Sequence, residues 1–163
     1  MAAFNGLGMG MGNLSRLSPA RSRSISPENF TGEPGKGGMA TEGTGARPGR
    51  DLGLGWKISP SIDIAAGENR LLALIDGPGA IQQIWATSAG GTWRNMILRV
   101  YWDDQEHPSI ECPIGDFFAC GWGSFAQISS MAVCVNPGRA FNCYWEMPFR
   151  KQARFMLENR NEE

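Results

Sequence analysis

The sequence predicts an all-β fold: an antiparallel β-sandwich of jelly-roll type, preceded by a long irregular segment. Two observations carry this. After Trp56, short apolar or alternating runs are cut by Gly, Pro, Asn and Asp turn signals about every eight to twelve residues, the spacing of a sandwich. Before residue 60 lie 13 of the 22 glycines, with much of the Ser, Arg and Pro, a composition that supports no long regular element.

Taken in order, residues 1–24 have no hydrophobic period and few bulky side chains, and are expected to form a flexible N-terminal segment. Ser26-Pro27-Glu28-Asn29 can begin at most one short turn, and residues 32–55 read as an irregular covering loop. The folded domain is expected over residues 25–163. Ile62-Asp63-Ile64 alternates, residues 71–75 form a short run expected to be buried, and Asp76-Gly77-Pro78-Gly79 turns the chain. Residues 81–87 follow, then a turn at Gly90-Gly91. Met96, Leu98, Val100 and Trp102 share one strand face, with Arg99 and Tyr101 on the other. Asp103-Asp104-Gln105-Glu106 is a hairpin tip leading to residues 109–112. Residues 128–135 and 140–145 supply further runs, and Ala153, Phe155 and Leu157 alternate with Gln152, Arg154 and Glu158. That makes about eight strands and no amphipathic helix. The last strand, followed by the polar Asn159-Arg160-Asn161-Glu162-Glu163, reads as an unpaired terminal strand of an incomplete domain, with association as the expected consequence.

Length and charge narrow the function classes. With 163 residues, one compact core is expected, and no run reaches the roughly 18 apolar residues of a membrane span. A net charge of -1 offers no positive field for nucleic acid. The single His107 argues against a His-cluster metal site, and Cys112, Cys120, Cys134 and Cys143 fit no zinc spacing. Glycines interrupt the N-terminus where a secretory signal needs an apolar run, so a reducing, cytoplasmic location is expected.

Six Trp, five of them from Trp85 to Trp145, suit either a core or the stacking faces of a sugar site. In residues 113–123, Gly115, Gly121 and Gly123 bracket Asp116, Phe117, Phe118 and Trp122. One carboxylate among rings is the make-up of a sugar pocket, where apolar faces stack on C–H groups and the carboxylate accepts from hydroxyls. The same residues also suit a loop pinned into the core, with Asp116 capping a turn. Glu111, Asp116 and Glu146 lie near aromatic residues, but glycoside hydrolysis needs two converging carboxyl groups, and spacing does not pair them. Glu33, Lys36, Glu42, Arg47, Arg50 and Asp51 charge the glycine-rich loop, as a ligand cover or as a solvated surface. Pro148-Phe149-Arg150-Lys151 is a basic turn, open to a small anion or simply to water.

The ordered blocks Arg23-Ser24-Ile25-Ser26-Pro27-Glu28-Asn29-Phe30-Thr31-Gly32-Glu33, Gly35-Lys36-Gly37-Gly38, Asp51-Leu52-Gly53, Gly55-Trp56-Lys57, Gly77-Pro78-Gly79, Ile84-Trp85, Arg99-Val100-Tyr101-Trp102-Asp103-Asp104, Gly115-Asp116-Phe117-Phe118, Phe141-Asn142-Cys143-Tyr144-Trp145 and Met147-Pro148-Phe149 resemble glycoside hydrolase family 172, the former domain of unknown function 2961. The likeness runs over residues 21–159. Glu146 stands where the family pattern has proline. The resemblance implies two jelly rolls per subunit and homo-oligomers, trimers or multiples of them. It also implies action on a glycan substrate, an α-linked fructofuranoside or arabinofuranoside, by a retaining mechanism with two glutamates. Those glutamates belong to the second jelly roll, so no catalytic residue is carried over to this chain, whose first jelly roll is expected to be inactive alone. No cofactor is implied, since carboxylate-driven glycosyl transfer requires none. Asp116, Phe117 and Trp122 are the expected substrate-binding residues. A non-catalytic carbohydrate-binding or assembly module is the rival reading.

Overall fold

A computed structural model describes residues 4–88 and 93–162. Residues 4–68 contain no extended strand, only a Ser26–Asn29 bridge and one helical turn, α1 (Ala46–Gly49). Ser26 to Asn29 closes as a tight turn, each residue's N–H donating to the other's carbonyl. Residues 4–20 fold back on themselves, with the Arg16 guanidinium 4.3 Å from the Phe4 ring centre.

Ten strands follow: β1 (Asn69–Asp76), β2 (Gly79–Ile81), β3 (Ile84–Ala86), β4 (Met96–Trp102), β5 (Ile110–Pro113), β6 (Ile128–Ser129), β7 (Val133–Val135), β8 (Phe141–Cys143), β9 (Met147–Phe149) and β10 (Gln152–Asn159). A second helical turn, α2 (Ile114–Phe117), sits between β5 and β6. One sheet has the order β1-β10-β4-β5, the other β3-β8-β7-β6, and β2 pairs with β9. All pairs are antiparallel. The pairings β1 with β10, β2 with β9 and β3 with β8 are nested, as in a chain rolled up as one long hairpin, the wrap of a jelly roll. Inside that wrap, β4 with β5 and β6 with β7 pair locally.

The core lies between the two four-stranded sheets. Leu98, Val100, Ala153, Phe155 and Leu157 meet Val133, Val135, Phe141 and Cys143, all buried. Strict alternation in β10 puts Ala153, Phe155 and Leu157 inside and leaves the intervening residues half-exposed. Outside, Arg99 bridges Glu158 at 2.7 Å and Glu111 at 3.2 Å, and Arg154 lies 3.9 Å over the Tyr101 ring. Burial works against the Arg99 charge, but the two carboxylates outweigh it and hold its proton more firmly than in an ordinary arginine.

Several expectations change. The last strand is not unpaired: β10 is central, hydrogen-bonded to β1 on one side and β4 on the other. The polar residues after it are tied down. Asn159, itself buried, donates from Nδ2 to the Ile64 carbonyl and accepts from Asn161, while Arg160 N–H donates to Asn95 O. The run 71–75 is not buried throughout. A bulge in β1 lets the consecutive Leu72 and Ala73 both pack against the core, leaving Leu71 and Leu74 about half-exposed. Residues 128–135 form a hairpin, not one strand, and 81–87 are divided between β2 and β3. Ile62-Asp63-Ile64 is irregular, although Ile64 still packs on the core. The hairpin tip at Asp103 and Asp104 is as expected, both residues at positive φ. The Gly90-Gly91 turn lies outside the described residues. No described helix is long and apolar enough to cross a membrane.

Candidate functional site

The loop over residues 113–123 is built where β5 ends. Pro113 enters α2, and the turn closes when Cys120 N–H donates to Gly115 O at 2.7 Å. Gly115 is required by crowding: a Cβ there would lie 2.8 Å from Cys120 O and 3.0 Å from Trp93 Cβ. The two phenylalanines pin the loop from beneath. Phe118 stacks on Phe141, centroids 5.2 Å apart, and Trp93 meets Phe141 edge-on at 5.0 Å. Phe117 contacts Phe118 at 5.0 Å and Trp145 at 5.6 Å, both edge-on.

The three sequence-derived residues therefore occupy different environments. Phe117 is buried, so its faces meet protein and not a ligand. Asp116 is half-exposed, and both its carboxylate oxygens accept from Arg94 Nη1, which also donates to Gly121 O at 2.9 Å. That bridge fastens one end of the loop to the other. Trp122, one residue beyond Gly121, is 95% exposed. Trp145 keeps one side on Phe117 and exposes nearly half of its surface. The surface thus offers an arginine–carboxylate pair with an open indole beside it and a second, half-open indole linked through Phe117. Sequence reasoning missed Arg94, because nothing in a lone arginine before β4 points to a carboxylate 22 residues away.

The other carboxylates considered are each engaged elsewhere. Glu111 pairs with Arg99 on the outer face of its sheet. Glu146 points to neither core nor cleft: it accepts from Gly8 N–H at 2.9 and 3.0 Å and from Gln82 Nε2 at 3.0 Å, fixing the N-terminal segment to the sandwich. Asp116, Glu111 and Glu146 share no hydrogen-bond partner. The basic turn after β9 is also occupied, since Asp103 Oδ1 accepts from the N–H groups of Arg150, Lys151 and Gln152. Those bonds, foremost the one from Lys151, hold the Asp103 carboxyl below the usual range. The cysteines are free; burial pushes the Cys112 thiol up, helped by the Asp116 charge, and burial raises Cys143 likewise. Neither is activated as a nucleophile. Among the described residues no group of His, Cys, Asp and Glu could hold a metal ion. His107 is exposed beyond the β4–β5 hairpin tip. The hydrogen bonds recorded for residues 32–55 return to their own region, Gly45 N–H to Ile58 O and Thr44 to Ser61, and none runs to the loop over 113–123.

No curated protein matches this chain. The GH172 domain-like family model matches residues 57–163, which include all ten strands, Arg94, Asp116, Trp122 and Trp145. With well over half of its length matched, and with an antiparallel β-sandwich as its fold, the chain belongs to the GH172 domain-like family and carries a glycoside-hydrolase-related domain.

Proposed function

We propose that this chain is the sugar-binding jelly-roll half of a glycoside hydrolase acting on α-linked furanosides, fructofuranosyl or arabinofuranosyl, by a retaining mechanism with two glutamates supplied by a second jelly roll. The observation that carries the reading is the Arg94–Asp116 pair beside the 95% exposed Trp122 inside the family-matched region. A fully exposed indole is costly unless something covers it, and a sugar ring stacks on such a face. The paired carboxylate accepts from ring hydroxyls, and the guanidinium donates to them. Phe117 supports this surface from below without touching the ligand. Homo-oligomers in threes belong to the same proposal and rest on the resemblance alone.

The chain by itself has little or no turnover in this reading, because Asp116, Glu111 and Glu146 each have a separate partner and none is free to form the close pair of a retaining enzyme. Assays on synthetic α-arabinofuranosides and α-fructofuranosides check it. Wild-type turnover abolished by Asp116→Ala would show that the reacting carboxylate is already here. Sugar binding is followed separately by Trp fluorescence, where Trp122→Ala is expected to remove most of the ligand-induced change.

A non-catalytic carbohydrate-binding module is the second reading, favoured by the same engagement of every candidate carboxylate. Joining this chain to a domain that carries two inward-facing glutamates distinguishes the readings, because only the enzyme gains hydrolysis.

A further inference from the structure

A second concave surface lies in the irregular region, away from the strands. It is a groove of about 270 Å³ whose walls include Ser22, Arg23, Ser24, Asn29 and Glu33. Pro34 is its only apolar side chain, so neither an aromatic nor a lipid ligand finds a surface to bury against.

Both charges in the groove remain available. The recorded bond of Arg23 runs from Nη1 to the neighbouring Ser22 carbonyl at 2.8 Å, and neither Arg23 nor Glu33 forms an ion pair with another described residue. Having both signs in one small groove is selective. An anion such as phosphate meets Glu33, a metal ion or ammonium meets Arg23, and each is opposed by one wall. A neutral polyhydroxyl compound satisfies both, since its hydroxyl hydrogens are accepted by the carboxylate and its oxygens accept from the guanidinium and the serine hydroxyls.

The walls are held in shape although no strand supports them. The Ser26–Asn29 turn closes one side, and Asn29 Nδ2 donates across to Glu33 O at 2.9 Å. Gly32 is buried at φ 68°, where a Cβ would lie 3.0 Å from Ile25 Cγ1. Glu28 Oε1 accepts from Ser59 N–H at 2.6 Å and ties the whole turn to the chain that enters the sandwich. The volume falls just below the roughly 300–1,000 Å³ of pockets for drug-sized ligands, which limits the occupant to about one or two sugar units.

We propose that the Arg23–Glu33 groove is a binding site for a neutral saccharide, distinct from the surface around Asp116 and Trp122. Titration of the ¹⁵N-labelled full chain with methyl arabinofuranoside, fructose, galacturonate and galactosamine, followed by amide chemical shifts, tests it. The expected result is saturable shifts at residues 22–37 with the two neutral sugars, and weaker binding of both charged ones. Arg23→Gln and Glu33→Gln, both at exposed positions, should each weaken neutral-sugar binding about tenfold, the loss of one charge-assisted hydrogen bond. Trp122→Ala should leave the shifts at residues 22–37 unchanged. Failure of the Asp116 reading would appear as a silent Trp122 indole N–H while this groove still titrates. The inference is overturned by absent shifts at 22–37 in the wild-type chain, by undiminished binding in both Gln variants, or by tighter binding of either charged sugar.

Discussion

From residue 69 to 159 the chain is joined by strands distant in sequence, β1 against β10 and β3 against β8, over a shared apolar core. Residues 4–68 carry few such ties. They are attached by single polar contacts, Glu28 to Ser59, Glu146 to Gly8, Gly45 to Ile58 and Thr44 to Ser61, and by one buried aliphatic side chain, Ile58. The first arrangement fails as a unit, because removing one core side chain exposes every sheet that packs on it. The second can open contact by contact, each costing only its own hydrogen bond. Both sugar surfaces follow from this difference. The one at Asp116 stands on a loop pinned by the rigid core, whereas the Arg23 groove depends on a few anchors.

The largest effect expected is at the shared core. Phe141 is fully buried beneath both Trp93 and Phe118, so Phe141→Ala should remove about 3–5 kcal/mol of global stability. Urea unfolding followed by Trp fluorescence and by far-UV circular dichroism should shift together. A loss confined to one probe would mean that the two sheets do not unfold as one.

A smaller, local effect is expected in the other region. Glu28→Ala deprives the buried Ser59 N–H of its acceptor, at about 1.5–3 kcal/mol for a hydrogen bond to a charged group. Amide exchange should speed up around residues 25–33 and 58–60 while Val100 and Phe155 keep wild-type protection. If the sandwich amides also exchange faster, the two regions are coupled more closely than their contacts indicate.

What could be read in the sequence follows the same divide. Strands whose two faces differ declared themselves, as in β10, where Ala153, Phe155 and Leu157 alternate with polar residues. The hairpin at Asp103-Asp104 was legible because turn chemistry is local. Three features were not. The bulge in β1 breaks the period of two, so Leu71 and Leu74 look like core. The central place of β10 is set by which strands meet, which no local pattern encodes. At the candidate site, Asp116 and Trp122 stood out by residue type, but Arg94, which fixes the carboxylate, and the burial of Phe117 are tertiary facts.

The smallest effect concerns a polar pin within the rigid region. Asp103 Oδ1 accepts three consecutive N–H groups in the turn that feeds β10, and its carboxyl is held below the usual range. A carboxyl whose folded-state pKa is depressed contributes stability that is present above the unfolded value, about 3.9, and is lost as pH falls through the lower folded value. Asp103→Asn keeps the shape but replaces the charged acceptor with an amide oxygen. The wild type should therefore exceed the variant in urea midpoint at neutral pH by a small, constant margin, and that margin should close as pH falls below about 4. Glu158, lowered by Arg160 and Arg99, and Glu68, lowered by the Ala65 N–H and Arg70, persist in the variant, so both proteins still lose stability in acid; only the difference between them reports on Asp103. A margin that stays constant down to pH 2 would mean that the turn is held by the sheet around it and that the carboxylate contributes nothing to its stability.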